Sequence, residues 1–346
     1  MHLINKYKVR NKEFTFIEVN QKDIKVTFMD YGATIMSIFV PDESGVMENI
    51  LLAYNDLESY IENEMYLNAT IGPNSGRIKD AKYVINDNEI NVEKNFLESE
   101  NLHSGSDCFA FKFFSYEVKE LKDSTKVIFE YHKKESESSF PGNQEIKITY
   151  TVSSTQLLIE FEGTTDKDAL LNITNHAYFN LSGNIKDKIL SHSLQVNSSN
   201  YIELDDKFVP YKVSPVNETI FDFKKERDFK ETLNEAVYNI PTLGVDHPFI
   251  LDDVGFEYKQ IILKDPISKR ELEVYTSYPC IVVYTHNYPD MKDLLFGREH
   301  VKHLGICFET QNEPNGINIK GLNNSILKSD EKYYHKTLYR FKISKK

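Results

Sequence analysis

The fold is decided by a stretch in which apolar and polar residues alternate, "EIKITYTVSSTQLLIEFEG" at residues 145–163. In its first half Ile146, Ile148 and Tyr150 fall on one face of an extended chain, and charged or hydroxyl side chains fall on the other. A period of two is typical of a strand that buries one face. The turn-forming "SST" ends this strand, and the alternation resumes over residues 156–163. The stretch therefore predicts two strands joined by a tight turn.

The same alternation recurs along the chain, as in "KVIFEY" (126–131) and "RELEVYT" (270–276), with turn residues between the runs. Helical patterns are few and short, at residues 56–64 and 223–236. Many strands with short turns predict an all-β fold, a large antiparallel sandwich or barrel with few short helices. Because no linker, repeat or low-complexity segment divides the sequence, we expect residues 1–346 to form a single domain.

The charge of the chain limits its partners. The 346 residues carry a formal net charge of −12 at pH 7, and no run approaches the ~18 apolar residues that a membrane span needs. An acidic protein repels phosphate groups, so nucleic acid and anionic membrane surfaces are excluded as partners. A neutral small molecule is compatible with this charge.

The cysteines and the N-terminus bear on the compartment. Cys108, Cys280 and Cys307 are far apart and form no CxxC pair, which argues against a disulfide framework and a thiolate zinc site. The first residues, "MHLINKYKVR", lack the apolar core of a signal peptide. We therefore expect a cytoplasmic protein.

Two titratable residues stand in apolar surroundings. His176 lies in "NITNHAYFNLSG" (172–183), and Glu309 lies in "LGICFETQ" (304–311). A histidine can donate a proton near neutral pH, and a carboxylate can accept one. The alternatives are a core histidine with satisfied hydrogen bonds and a glutamate on a solvated face or in a structural ion pair.

Three further residues stand in turns that could present them to a ligand. Arg77 follows a glycine in "IGPNSGRIKD", His103 precedes a Ser-Gly turn in "ENLHSGSD", and Asp246 begins a strand in "LGVDHPFIL". A guanidinium binds oxygen atoms in pairs, which suits a polyhydroxylated ligand. The alternatives are a surface arginine paired with a local acid, a solvated histidine and an aspartate that caps a strand.

Motifs for other chemistries are absent from the sequence. There is no GxSxG elbow, no HExxH pair, no GxGxxG after a strand and no GxxxxGK[ST] loop. No set of residues has a spacing typical of metal ligands. We therefore expect neither a metal nor another cofactor.

Taken in order, these stretches resemble the aldose 1-epimerase (galactose mutarotase) family. The resemblance covers nearly the whole chain and rests on the following stretches of this sequence: "YGATIMSIFVPD", "IGPNSGRIKDAKY", "NLHSG", "FPGNQEIKITYTV", "TNHAYFNLSG", "VDHPFIL" and "FETQNEPNGIN".

This resemblance implies a galactose mutarotase-like β-supersandwich with a concave sugar site. It implies that Glu309 is the general base and His176 the general acid in opening and reclosing the ring of free aldohexoses such as galactose and glucose. No cofactor is implied, and the protein is expected to be a monomer or a homodimer. The implied substrate-binding residues are Arg77, His103, Asp246, Asn74, Tyr178 and Gln311.

The sequence departs from the family pattern beside the implied site. Ser104 replaces a usual glycine, Pro73 stands where many members carry arginine, Gly76 where many carry asparagine, and Asn315 where aspartate is common. Neighbours of this kind govern selectivity between hydroxyl groups.

Three other functions remain as alternatives. The first is a hexose-6-phosphate 1-epimerase on the same fold, which would need cationic groups around the phosphate. The second is a sugar-binding protein without catalysis, for which an acid–base pair is superfluous. The third is a glycoside hydrolase with two carboxylates, for which Glu309 and Asp246 are available.

Overall fold

The computed structural model describes residues 1–233 and 242–344, and these residues form mainly antiparallel β-structure. Strands are numbered along the chain. The largest sheet contains nine strands, which in spatial order are β11 (Ser115–Glu120), β12 (Ser124–Lys133), β13 (Gln144–Ser153), β14 (Gln156–Thr165), β28 (Tyr333–Ile343), β24 (Arg270–Thr276), β23 (Ile261–Lys264), β18 (Ser193–Val196) and β21 (Arg227–Asp228). The strands predicted from alternation are β12, β13, β14 and β24, so these predictions are confirmed.

Two smaller sheets complete the main framework. The five-stranded sheet contains β1 (His2–Val9), β2 (Lys12–Gln21), β3 (Ile24–Met29), β4 (Thr34–Pro41) and β5 (Met47–Asn49). The six-stranded sheet contains, in spatial order, β17 (Tyr178–Phe179), β26 (Ile306–Gln311), β25 (Cys280–Tyr284), β22 (Asp246–Ile250), β19 (Asn200–Leu204) and β20 (Pro210–Pro215).

Four two-stranded ribbons order the connections. They are β6 (Thr70–Ile71) with β16 (Thr174–Asn175), β7 (Arg77–Ile78) with β10 (Asn101–Leu102), β8 (Lys82–Ile85) with β9 (Asn88–Asn91), and β15 (Ala169–Leu170) with β27 (Ile326–Leu327). Single 3₁₀ turns occupy Lys79–Ala81, Gly105–Asp107, Phe109–Phe111, Glu135–Glu137, Ile189–Ser191, Leu295–Gly297 and Gly316–Asn318.

Both predicted helices are shorter than their patterns indicate. Helix α1 covers only Ser59–Glu62 and ends where Asn63 adopts a left-handed conformation. Helix α2 covers Phe229–Thr232, because the residues just before it form β21 and pair with β18 instead. The end of the second predicted segment, 234–236, lies outside the described residues. In the described part of the chain, no helix is long and apolar enough to cross a membrane.

The five-stranded and six-stranded sheets both pack against the nine-stranded sheet. Phe28 of β3 stacks on Tyr150 of β13 with ring centroids 4.7 Å apart, and Phe179 of β17 meets Tyr339 of β28 at 5.0 Å. One continuous hydrophobic core contains residues from all three sheets. The architecture is therefore an antiparallel β-sandwich, and the predicted fold class is confirmed.

Strand β26 is buried on both faces, and this decides what its side chains meet. Ile306 and Phe308 belong to the core, and the Thr310 hydroxyl lies 2.6 Å from that of Thr337 on the nine-stranded sheet. Because side chains alternate along a strand, Cys307, Glu309 and Gln311 point to the opposite face. A carboxylate is thereby carried onto the outer surface of the six-stranded sheet.

Several histidines of the sandwich are buried in the uncharged form. Burial lowers the pKa of His192, His247 and His335 to about 4, and that of His286 to about 3, from the ordinary 6.5. His192 is fully enclosed, and its Nε2 accepts a hydrogen bond of 2.9 Å from the Leu181 amide. A proton on that nitrogen would remove the acceptor.

We predict that the free energy of unfolding falls as the pH drops below 6.5. Between pH 6.5 and pH 4 these histidines are protonated in the unfolded chain but stay neutral in the folded one. Lowering the pH through this range therefore favours the unfolded state. The urea midpoint should be lower at pH 5.5 than at pH 7.5. His192→Gln should reduce the difference between the two urea midpoints. His132→Gln, which replaces an exposed histidine, should leave that difference unchanged. Equal midpoints for the wild-type chain at the two pH values would contradict the prediction.

Candidate active site

A cavity of ≈ 360 Å³ opens over the outer face of the six-stranded sheet. The antiparallel register aligns Pro248, Val282 and Glu309 across β22, β25 and β26, and all three line the cavity. A second row contains Asp246 and Tyr284, which pair across β22 and β25. The sheet therefore forms a floor that carries two carboxylates, Glu309 in the first row and Asp246 in the second.

Glu309 is 3% exposed, and both of its carboxylate oxygens have partners. Gln311, two residues further along the same face, donates a 3.2 Å hydrogen bond from Nε2 to Oε2. The other oxygen, Oε1, lies 3.3 Å from Nε2 of His176. Glu309 is thus fixed in position, with one oxygen directed at an imidazole.

The ribbon of β16 and β6 places His176 over this floor. Its backbone N–H donates to Ala69 (2.9 Å), and its carbonyl accepts from Asn68 (3.1 Å). The side chain is 5% exposed and lies at the cavity surface, with its ring centroid 5.0 Å from that of Tyr178. The ring is therefore buried, as a core histidine would be, yet it lines a cavity and contacts a carboxylate.

His103 approaches the same point from a loop. Its ring centroid lies 5.4 Å from that of His176, and its Nδ1 accepts a 3.1 Å hydrogen bond from the Gly76 amide. Burial lowers the pKa of His103 well below its ordinary value, and the neighbouring His176 and Arg77 add to the effect. A neutral ring that accepts at Nδ1 carries its proton on Nε2. His103 therefore offers an N–H donor.

Arg77 and Asp246 form an ion pair in the cavity wall although 169 positions of the sequence separate them. The Nη2–Oδ2 distance is 3.0 Å, and both side chains are largely buried. The Arg77 guanidinium also lies over the ring of Phe96, 4.8 Å from its centroid, and its buried Nε has no hydrogen-bond partner within the described residues. The pair presents a cation and an anion side by side to a ligand.

The other three implied binding residues occupy different positions. Tyr178 lines the cavity, and its hydroxyl donates to the Met65 carbonyl at 3.0 Å. Gln311 and Asn74 lie behind the cavity lining that the described residues form. The side chain of Gln311 donates a hydrogen bond to Glu309, and the side-chain Nδ2 of Asn74 donates one to the Ser75 carbonyl at 3.2 Å. Their contact with a sugar stays a prediction.

The departures from the family pattern fit the loops of this chain. The Ser104 hydroxyl accepts a hydrogen bond from the backbone N–H of Asn74 (2.8 Å) and donates one to the backbone carbonyl of Asn74 (3.0 Å). Gly76 has a φ of +77°, and a Cβ there would lie 2.4 Å from the Pro314 Cβ. Asn315 accepts from the Lys79 amide at 3.2 Å. These residues therefore hold the loops that carry Arg77 and His103.

Sequence reasoning missed most of the cavity wall, which is aromatic and apolar. The alternation in "CIVVY" (280–284) puts Val282 and Tyr284 on one face, but only the strand register shows that this is the face of Glu309. Much of the remaining wall comes from loops without periodic patterns. It includes Met65, Tyr66, Phe96, Phe208 and Tyr288.

The structure also brings together three groups of a type that binds metals. Ligand atoms of His103, His176 and Glu309 all lie within 4.8 Å of one another, which sequence spacing did not reveal. The hydrogen bond from Gly76 keeps the His103 proton on Nε2, so the neutral ring has no free lone pair there. Imidazole binds a metal through such a lone pair, so this set fits a metal poorly. That no metal is required stays a prediction.

Comparison with known proteins identifies the family of the chain. The family model described as aldose 1-epimerase matches residues 16–340. The chain belongs to the aldose 1-epimerase family. Among its relatives are galactose mutarotase of Homo sapiens, 29% identical over 93% of this chain and 92% of the relative, and aldose 1-epimerase of Haemophilus influenzae, 31% identical over 93% and 94%.

Solved structures of epimerases have the same fold. The crystal structure of an aldose epimerase homologue from C. elegans matches with a TM-score of 0.87 at 25% identity, over 95% of this chain and 99% of that one. That of a galactose 1-epimerase from Lactobacillus acidophilus matches with a TM-score of 0.86 at 24% identity, over 99% and 98%. Both matches extend over almost the entire sandwich.

We predict that Asp246→Asn and His103→Asn raise KM for galactose by about tenfold or more with a smaller change in kcat. Each change weakens a hydrogen bond that ground state and transition state share. Initial rates from polarimetry over a range of sugar concentrations measure the two constants. The exposed residues Asp123 and His132 provide matched controls, and their Asn variants should behave like the wild type. A fall in kcat of several orders with KM intact would instead assign the residue to proton transfer.

Proposed function

We propose that this chain is an aldose 1-epimerase that interconverts the α and β anomers of free aldohexoses such as galactose and glucose. The supporting observation is the contact between Glu309 and His176 at the cavity floor, with Oε1 and Nε2 3.3 Å apart. In this proposal Glu309 is the general base and His176 the general acid.

The reaction needs a base and an acid close together. The base removes the proton of the C1 hydroxyl while the acid protonates the ring oxygen, and the bond between C1 and that oxygen breaks to give the open aldehyde. Rotation about C1–C2 exposes the other carbonyl face. Reclosure then returns both protons with the roles reversed. Because the two oxygens are bonded to the same carbon, two groups in mutual contact can reach both at once.

The partners of Glu309 and His176 fit these roles. Gln311 occupies Oε2 of Glu309, which leaves Oε1 as the oxygen that meets the C1 hydroxyl. The imidazole Nε2 lies beside Oε1 and is the atom that meets the ring oxygen. No cofactor has a step in this sequence of proton transfers.

The remaining polar groups of the cavity are proposed to hold the sugar. Neutral His103 donates from Nε2, Arg77 donates from its guanidinium, and Asp246 accepts from the sugar near the hydroxyl that distinguishes galactose from glucose. Donors aimed at oxygen also stabilise the negative charge that develops there. Tyr178 provides an aromatic wall. Asn74 and Gln311 act through the loop of Arg77 and through Glu309.

The alternatives find less support in the cavity. Among its described lining residues Arg77 is the one lysine or arginine, and it is already paired with Asp246, so a phosphate would meet no free cation. A hydrolase with two carboxylates would draw its second one from Asp246 or Glu64, but Asp246 is hydrogen-bonded to Arg77 and Glu64 is exposed to water. Sugar binding without catalysis would leave the contact between Glu309 and His176 without a purpose.

We also propose that residues 1–346 form a single domain, because one core joins all three large sheets. A cytoplasmic location is proposed because the cysteines Cys108, Cys280 and Cys307 are all free thiols. The protein is proposed to act as a monomer or a homodimer.

We predict that Glu309→Gln and His176→Asn each lower the rate of anomer exchange by roughly 10²–10⁴ while the protein still binds sugar. Both variants keep size and hydrogen bonding but lose the ability to transfer a proton. Because both groups act on one bond, the double variant should lose less than the product of the two losses. Polarimetry of freshly dissolved α-D-galactose measures the rate.

Controls for this experiment are Glu117→Gln and His132→Asn, which alter exposed residues. A near-normal rate for Glu309→Gln would remove the assignment of the base and would favour the sugar-binding alternative.

We predict further that glucose 6-phosphate is a poorer substrate than glucose. A phosphate group would face the acidic groups of the cavity and a single paired arginine, so kcat/KM should be lower for the ester. Exchange rates for both sugars at equal ionic strength provide the comparison. A higher kcat/KM for the ester would identify a hexose-6-phosphate 1-epimerase instead.

A further inference from the structure

The second nitrogen of the His176 ring has an unusual neighbour. Nε2 faces Glu309, and on the other side Nδ1 lies 3.6 Å from Sγ of Cys307. Histidines that transfer protons more often direct this nitrogen to a carboxylate or a backbone carbonyl. Here a fully buried thiol takes that place.

One strand provides both contacts of the imidazole. Cys307 and Glu309 are two positions apart in β26, so their side chains stand on the same face about 7 Å apart along the strand. Cys307 lies between Tyr178 on β17 and Tyr284 on β25, which pair with it in register. Strand β26 therefore contacts both nitrogens of the His176 ring. The neighbouring strands β17 and β25 hold β26 in place on its two sides.

We propose that Cys307 is a positioning residue for the general acid. Its thiol is the hydrogen-bond partner of His176 Nδ1 and keeps Nε2 directed at Glu309 and the substrate in both protonation states of the ring. This inference rests on the proposed function, since it concerns the acid of that reaction.

A thiol suits this task because it can both donate and accept a hydrogen bond. When the ring is charged, or has just released its proton from Nε2, the N–H at Nδ1 donates to Sγ. The S–H can then turn to the His176 carbonyl oxygen, 4.0 Å away. When Nδ1 is bare, the S–H donates to it. Neither state leaves Nδ1 without a partner.

The thiol stays uncharged throughout. Burial raises the pKa of Cys307 well above its ordinary value, and the negative charges of Glu309 and Asp246 raise it further. A thiolate would form a fixed ion pair with the imidazolium and oppose release of its proton. A neutral thiol supports the ring without holding the proton in place.

Other ionisable groups also face His176. They remain unchanged in every Cys307 variant, so a difference between variants reports on the thiol. The ionisable side chains that face the ring from the elements packed around it are Glu309, His103, Tyr66, Tyr178 and Tyr284, with the Arg77–Asp246 pair beyond them.

The test compares Cys307→Ala, Cys307→Val and Cys307→Ser in pH–rate profiles of galactose anomer exchange. Alanine and valine leave Nδ1 buried without a partner, which disfavours the charged acid. We expect kcat to fall about tenfold with KM nearly unchanged, and the alkaline limb to move to lower pH. Serine is a stronger acceptor of the Nδ1 proton, so it should restore kcat and move the alkaline limb to higher pH.

Cys108→Ala is the matched control, because it removes another buried thiol and should leave the pH–rate profile unchanged. Circular dichroism identifies any variant that fails to fold, and the serine variant tests the inference even if alanine and valine do not fold. Unchanged alkaline limbs in all folded variants would overturn the inference, as would losses that appear only in KM. In either case exchange by the wild-type chain would leave the proposed function intact. Absence of exchange in the wild-type chain would overturn both.

Discussion

The alternation of side chains along β26 is the constraint on which the active site depends. One face of this strand is fixed by the core, where Phe308 packs and Thr310 meets Thr337 of the nine-stranded sheet. The opposite face must then carry Cys307, Glu309 and Gln311 at fixed spacing. A slip of one residue would put the carboxylate into the core and Phe308 or Thr310 in its place on the cavity floor, so packing and chemistry are specified together.

Burying charged groups on this floor is tolerated because each has a partner. Removing a carboxylate from water is costly unless hydrogen bonds or an opposite charge compensate. Glu309 has Gln311 and His176, and Asp246 has Arg77. His103 avoids the cost by remaining neutral, because burial lowers its pKa and the Gly76 amide occupies Nδ1. The resulting site contains fixed donors and acceptors and little free charge.

The sequence predicts this arrangement only in part. Strands with one apolar face, such as β13, are recognisable because apolar and polar residues alternate along them. Strand β26 is buried on both faces, so its pattern did not show which face Glu309 occupies. The second helix prediction was too long because pairing of β21 with β18 overrides the local helical preference. The Arg77–Asp246 pair and the cavity wall depend on contacts between residues distant in sequence, which the pattern of a single sequence does not reveal.

The central claim is that Glu309 and His176 meet the two oxygens on C1 of the sugar. A crystal structure of the Glu309→Gln variant with bound galactose tests it most directly, because the blocked reaction preserves the complex. The account predicts the ring oxygen within hydrogen-bond distance of His176 Nε2 and the C1 hydroxyl beside the side chain at position 309. A sugar whose C1 end points away from this pair, toward Arg77 and the cavity mouth, would contradict the account.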